Sequence, residues 1–186
     1  MTENKKIHPY KFTLWVAMGS IVMMFAGLTS AYIVKRNQPN WQGFELPAIF
    51  TYSTVFILLS SVTIQLALRN FRQRRMQVYR QLMIVTAVLG AAFIAMQWTG
   101  FLQLEAANIK IIRQGSNVSA SFLGVIAGLH LLHVLGGIVA LVAMMIRAFR
   151  SRTKNYSAVP VEVMSQYWHF VDFLWIYLFV FLNWIS

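Results

Sequence analysis

Cysteine is absent from this chain. That excludes disulfides, thiolate zinc sites, iron–sulfur clusters and a bis-cysteine copper site. Charge is scarce, at 11% of residues, and acids are scarcest, with 5 Asp and Glu against 16 Lys and Arg. Soluble chains carry about 25% charged residues, so an ordinary soluble surface is excluded too. No paired carboxylates, nucleophile elbow or glycine-rich strand-to-helix loop occurs, so no hydrolase, kinase or phosphate-binding signature is present. Internal repeats, low-complexity stretches and an extramembrane domain are lacking as well.

What the chain has is apolar sequence. Hydrophobic residues make up 58% of its 186 positions, and the mean hydropathy is +0.59. This composition, spread along the whole length, predicts an all-α polytopic membrane protein of one domain, residues 1–186. A spanning helix needs about 20 mostly apolar residues. Five segments qualify: 11–34, 47–68, 79–102, 118–146 and 164–185. Pro47 suits the first turn of the second. The start of the chain lacks the charged, apolar and cleavage regions of a signal peptide, so the first segment is expected to be retained.

The net charge of +11 does not predict a nucleic-acid partner, because the arginines lie between apolar segments. They predict orientation instead. Lys5, Lys6, Lys11, Arg69, Arg72, Arg74, Arg75, Arg80, Arg147, Arg150, Arg152 and Lys154 fall on one side, against Lys35, Arg36, Lys110 and Arg113 on the other. The positive-inside rule places the N-terminus in the cytoplasm and Ser186, after five crossings, in the periplasm. Tyr10, Trp15, Trp41, Tyr79, Trp98, Tyr167, Trp168 and Trp184 lie near helix ends and fit interfacial belts. Small residues mark candidate helix contacts: Gly124 and Gly128 in a GxxxG, then Gly136 and Gly137, with Gly90, Ala91, Ala92 and Ala95 in the third segment.

Polar groups concentrate in the last two segments. His130 and His133 share a helical face with Gly137. Ser165, Gln166, His169, Asp172 and Asn183 follow in the fifth. Asp172 sits roughly 12 Å into its helix at 1.5 Å per residue, so it must face protein. Its expected partners are His169 or a histidine of the fourth segment. Three readings fit: a metal or haem site, a proton path, or a hydrogen-bonded network fixing helix five to helix four and gripping a lipid headgroup.

The run Tyr167-Trp168-His169-Phe170-Val171-Asp172 resembles the YWHFVD signature of subunit III of the haem-copper respiratory oxidases. Val161-Glu162 upstream is similar to a Val-Glu pair of that family. Gly128 to Gly137 resembles its GxHxxHVxxG segment, and Ser20 to Leu28 with Ala31-Tyr32 resembles its first-helix stretch. The resemblance spans nearly the whole chain and points to the short five-helix bacterial form. Two positions depart. Ile21 stands where the family commonly has a glutamate, and Gly100 replaces the acid of a Gln-x-x-Glu begun by Gln97. A proton-related role for those acids is therefore not implied here.

The resemblance implies a non-catalytic subunit of a proton-pumping cytochrome c or quinol oxidase in the bacterial inner membrane, reducing oxygen to water during aerobic respiration. It implies no haem, copper or other metal in this chain, those cofactors lying in partner subunits. It also implies packing on subunit I, with subunit II and a small subunit IV as further partners, and phospholipid held in a cleft. His130, His133, Trp168, His169 and Asp172 are the candidates for the polar network or lipid contacts. A nitric oxide reductase component and a small transporter using Asp172 are the alternatives.

Overall fold

A computed structural model describes residues 9–36, 46–107, 118–150 and 158–185, apart from the side chains of 149 and 150. Lys5, Lys6, Trp41, Lys110, Arg113, Arg152, Lys154 and Ser186 lie outside the described residues, as does the side chain of Arg150. The described residues form five α-helices: α1 (Pro9–Arg36), α2 (Ile49–Arg72), α3 (Met76–Ala106), α4 (Val118–Arg150) and α5 (Val159–Ile185). All five are long and apolar enough to cross a membrane. A helix satisfies every backbone group within itself, which lipid requires. Pro47 precedes α2 rather than starting it, and its carbonyl accepts from Phe50 N–H at 3.1 Å.

Helices α2, α3, α4 and α5 form a closed ring, each touching its two neighbours. Helix α1 lies outside the ring, against α4 and α5 alone. It runs parallel to α5 in a steady register: Lys11 meets Glu162, Thr29 meets Tyr177 and Tyr32 meets Phe181. Helix α5 therefore touches α1, α2 and α4, and it contributes buried residues to both apolar clusters.

The aromatic belt is only partly as predicted. Tyr10, Trp15, Trp98 and Trp184 are exposed. Tyr79 and Trp168 are buried instead. Tyr79 packs edge-on against Phe71, with ring centroids 5.0 Å apart. Position near a helix end does not decide which way a ring points, and both of these point inward.

Candidate functional site

The site is a polar seam, and α2 supplies most of it. Ser53, Thr54, Ser60 and Thr63 each donate to a carbonyl three or four residues back, at 2.7 to 2.8 Å. A hydroxyl whose proton is used this way still has lone pairs to offer sideways. Neighbouring helices use them. Trp168 Nε1–H donates to Ser60 Oγ at 2.9 Å and Trp175 Nε1–H to Thr54 Oγ1 at 3.0 Å. From α3, Gln97 Nε2 donates to Ser53 Oγ at 2.8 Å, and Thr86 Oγ1 lies 2.8 Å from Thr63 Oγ1. In lipid each such bond adds roughly 0.6 kcal/mol, so their number fixes register more than any one of them fixes stability.

His169 belongs to the same seam. Its Nε2 lies 3.2 Å from Gln65 Oε1 and its Nδ1 2.6 Å from Ser61 Oγ. The Gln65 oxygen only accepts, so Nε2 carries the hydrogen and Nδ1 accepts from Ser61. Residues 61 and 65 are one turn apart, and together they hold the imidazole at both ends.

Trp168 is the interlock. A methyl group added at Gly90 of α3 would lie 3.0 Å from its Cζ2 and Cη2, and one at Gly137 of α4 would lie 3.0 Å from its Cζ3. The indole thus occupies a slot between two glycines and donates to α2 through its nitrogen. Tyr167 adds a bond from its hydroxyl to His133 O at 2.9 Å. Of the predicted contact glycines, Gly90 and Gly137 are thus in close contact with α5. A methyl at Gly128 or Gly136 would meet nothing within 4 Å. Gly124 and Gly128 line an open groove of about 410 Å³ between α3 and α4.

The two histidines of α4 diverge. His130 is fully buried, stacked on Trp175 at 5.1 Å and edge-on to Phe93 at 6.0 Å. His133 turns toward Phe25 of α1, and its Nδ1 lies 2.7 Å from Leu129 O. The expected pairing of Asp172 with a histidine is not what the structure has. Both carboxyl oxygens of Asp172 and both ring nitrogens of His130 are buried without a hydrogen-bond partner. Ser61 approaches Asp172, but outside hydrogen-bond geometry, and its short bond goes to His169. The physical reason is competition: α2 offers His169 two partners across the helix interface, and the rings beside His130 hold it by stacking. Among the described residues, no three His, Asp or Glu side chains gather where a metal ion could be held.

A second polar cluster escaped the sequence reading. Glu162, near the start of α5, accepts from Lys11 Nζ of α1 at 2.7 Å and from Arg72 Nη2 of α2 at 2.8 Å. The signal was available, because Glu162 is the one acid among many cations at that end of the chain's described helices. Nearby, Arg80 Nη2 donates to Ala148 O at 2.6 Å, tying α3 to the last turn of α4. Arg147 lies at one end of a groove of about 750 Å³ between α1, α4 and α5, whose far end is Gly136.

The family model described as cytochrome c oxidase subunit III matches residues 12–186. This chain belongs to the cytochrome c oxidase subunit III family. A probable cytochrome c oxidase subunit 3 of Nocardia farcinica is 30% identical, covering 95% of this chain and 91% of that protein. The cytochrome c oxidase subunit 3 of Corynebacterium diphtheriae is 32% identical over 89% of this chain and 85% of its own length. A probable quinol oxidase subunit 3 of Staphylococcus aureus is 28% identical over 91% and 85%. In this subunit III chain the motif residues Tyr167, Trp168 and His169 all bind neighbouring helices. The departure at Gly100 is filled: a methyl there would lie 2.8 Å from Phe50 Cε2. The Phe50 ring takes the space an acid's side chain would need.

Proposed function

We propose that this chain is a non-catalytic structural subunit of a haem-copper terminal oxidase in the bacterial inner membrane. It packs on the catalytic subunit I, with subunit II and a small subunit IV as further neighbours. The observation that carries this reading is the use made of the signature segment. Its polar atoms, apart from Asp172, are engaged with α2 and α4, and so they serve the bundle. Haems and copper belong to the partner subunits. The arginine-rich end, where α1 begins, faces the cytoplasm.

The groove between α1, α4 and α5 holds phospholipid on this reading. It is lined by apolar side chains along its length, with Arg147 at the cytoplasmic end for a phosphate. Gly128, where an added methyl would meet nothing within 4 Å, is offered with Gly124 beside it to a helix of the partner subunit.

The deciding experiment is a tagged full-length chain extracted gently from native membranes. It is expected to bring with it a haem spectrum and oxygen-reducing activity. A chain that emerges alone, with the oxidase intact elsewhere, would overturn the proposal. Cysteines placed within residues 69–78 are expected to label from the cytoplasmic side only.

A further inference from the structure

The groove between α1, α4 and α5 does not end at Arg147. A pocket of about 130 Å³ lies between α3, α4 and α5, with Phe71 of α2 in its wall. It shares Met144, Arg147 and Pro160 with the groove. One guanidinium thus borders both hollows. Arg147 is exposed and has no ion pair or hydrogen bond among the described residues.

Tyr79 is the unusual member of the pocket wall. It is 2% exposed, and its ring is fixed edge-on against Phe71. A buried phenol usually finds a hydrogen-bond partner. The Tyr79 hydroxyl has none among the described residues, yet it is not one of the partnerless polar atoms that are sealed inside the chain. It therefore opens onto the pocket that Tyr79 lines. Charge in the wall is of one sign. Arg80 and Arg147 line the pocket, and no acid does. Arg80 is committed to Ala148 O, so it adds field and not a free donor.

Resting on the reading of the groove as a phospholipid site, we propose that this pocket selects the headgroup. With the phosphate at Arg147, an uncharged, hydroxyl-bearing headgroup such as glycerol turns into the pocket and bonds the Tyr79 hydroxyl. Every phospholipid has a phosphate, so Arg147 alone does not discriminate among them. The phenol does, because it both donates to and accepts from an alcohol. Choline brings a cation and no donor. Ethanolamine brings a donor, but its charge would lie beside two guanidinium groups, where like charges repel. The small pocket suits a headgroup, and the groove of about 750 Å³ suits the acyl chains.

The test uses the full-length chain, purified with the subunits that accompany it, in phosphatidylcholine nanodiscs. These contain equal parts of phosphatidylglycerol, phosphatidylethanolamine and phosphatidic acid, the last having a phosphate and no headgroup alcohol. Native mass spectrometry counts the lipids retained. Wild type is expected to enrich phosphatidylglycerol over the other two. Tyr79→Phe keeps the ring on Phe71 and removes the hydroxyl. It is expected to lower phosphatidylglycerol about fivefold, the worth of one hydrogen bond, with phosphatidic acid unchanged. Tyr52→Phe, at an exposed tyrosine outside both hollows, is expected to match wild type. Arg147→Gln is expected to lower all the phospholipids alike. Retention in the proportions of the disc would overturn the headgroup site, as would wild-type behaviour of Tyr79→Phe. Equal losses of phosphatidylglycerol and phosphatidic acid in Tyr79→Phe would put the hydroxyl on the phosphate and overturn it too. In each of these cases a general loss in Arg147→Gln would leave the groove reading standing. Full retention of every phospholipid by Arg147→Gln would overturn the groove reading and the headgroup site together.

Discussion

Helices α1 and α5 run side by side and in parallel, yet they are built on opposite plans. Both are long and apolar enough to cross a membrane. Burial separates them: half of the most apolar stretch of α5 is buried inside the chain, against 11% of that of α1. In lipid, apolar surface gains nothing by leaving one greasy environment for another, so hydropathy finds spans and does not rank them. What ranks them is polar and small residues. Helix α5 has two indole N–H groups, an imidazole and a phenol bonded to its neighbours. Among the ties of α1 to it are the Lys11 to Glu162 ion pair and the 3.2 Å contact between Thr29 Oγ1 and the Tyr177 hydroxyl.

The contrast breaks most sharply at Trp168. Trp168→Ala empties the slot between Gly90 and Gly137 and frees Ser60 Oγ. Removing a buried large aromatic costs about 3–5 kcal/mol. The expected outcome is a lowered unfolding midpoint in detergent and poor retention in the complex. Trp15→Ala on α1, where the ring is exposed, is expected to leave both nearly unchanged. Equal losses from the two would mean that α5 is not the organising helix.

Two adjacent glycines sharpen the point. Gly137→Val pushes atoms into the Trp168 and Tyr167 rings, and overpacking of this kind costs roughly 1–3 kcal/mol. Gly136→Val enters open space, and no loss of stability is expected. Unfolding in increasing denaturing detergent measures both. A destabilised Gly136→Val beside a normal Gly137→Val would put α4 in a different rotation.

Glu162 tests how α1 is held. Glu162→Gln removes both ion pairs while keeping shape. The Arg72 side chain is largely exposed, so solvent screens that pair, and the total effect should stay below about 1 kcal/mol. The effect should also be local. Hydrogen exchange is expected to quicken at the start of α1, with α5 unchanged. Equal quickening in both would show that the clamp supports the whole bundle.

The sequence made the five spans legible because each is a single long apolar run. The prominence of Trp168 and His169 was legible through their motif. Their partners were not. Ser53, Thr54, Ser60 and Ser61 look like ordinary tolerated hydroxyls in an apolar helix, and nothing in their spacing says that α5 lies against them. Gly137 and Gly136 are alike as sequence, and only the rotation of α4 makes one a contact and the other an open face. Glu162 was named through its Val-Glu pair, but its ion pairs were not legible because the partners lie 151 and 90 residues away.

Asp172 carries the clearest reversal. A carboxyl deep in an apolar helix suggests a paired group whose loss strands its partners. In the structure its two oxygens have no hydrogen-bond partner, and the histidine three residues before it is held by Ser61 and Gln65. Removing such a group strands nothing. It also relieves the cost of keeping an unsatisfied polar group out of water, about 1–3 kcal/mol. Asp172→Leu is therefore expected to leave stability unchanged or raised, with His169 still bound to α2 and the chain still retained in its complex. Asp172→Asn, which keeps a polar head of the same shape, should fall near wild type. Oxygen consumption by the assembled complex should be normal in both, because the carboxyl touches no reacting group on the proposed reading. Unfolding midpoints, subunit stoichiometry and oxygen uptake measured together separate the possibilities. Loss of assembly in Asp172→Leu alone would restore a paired carboxylate. A fully assembled but inactive Asp172→Asn complex would give this residue a part in moving protons or solute, and would end the purely structural account of α5.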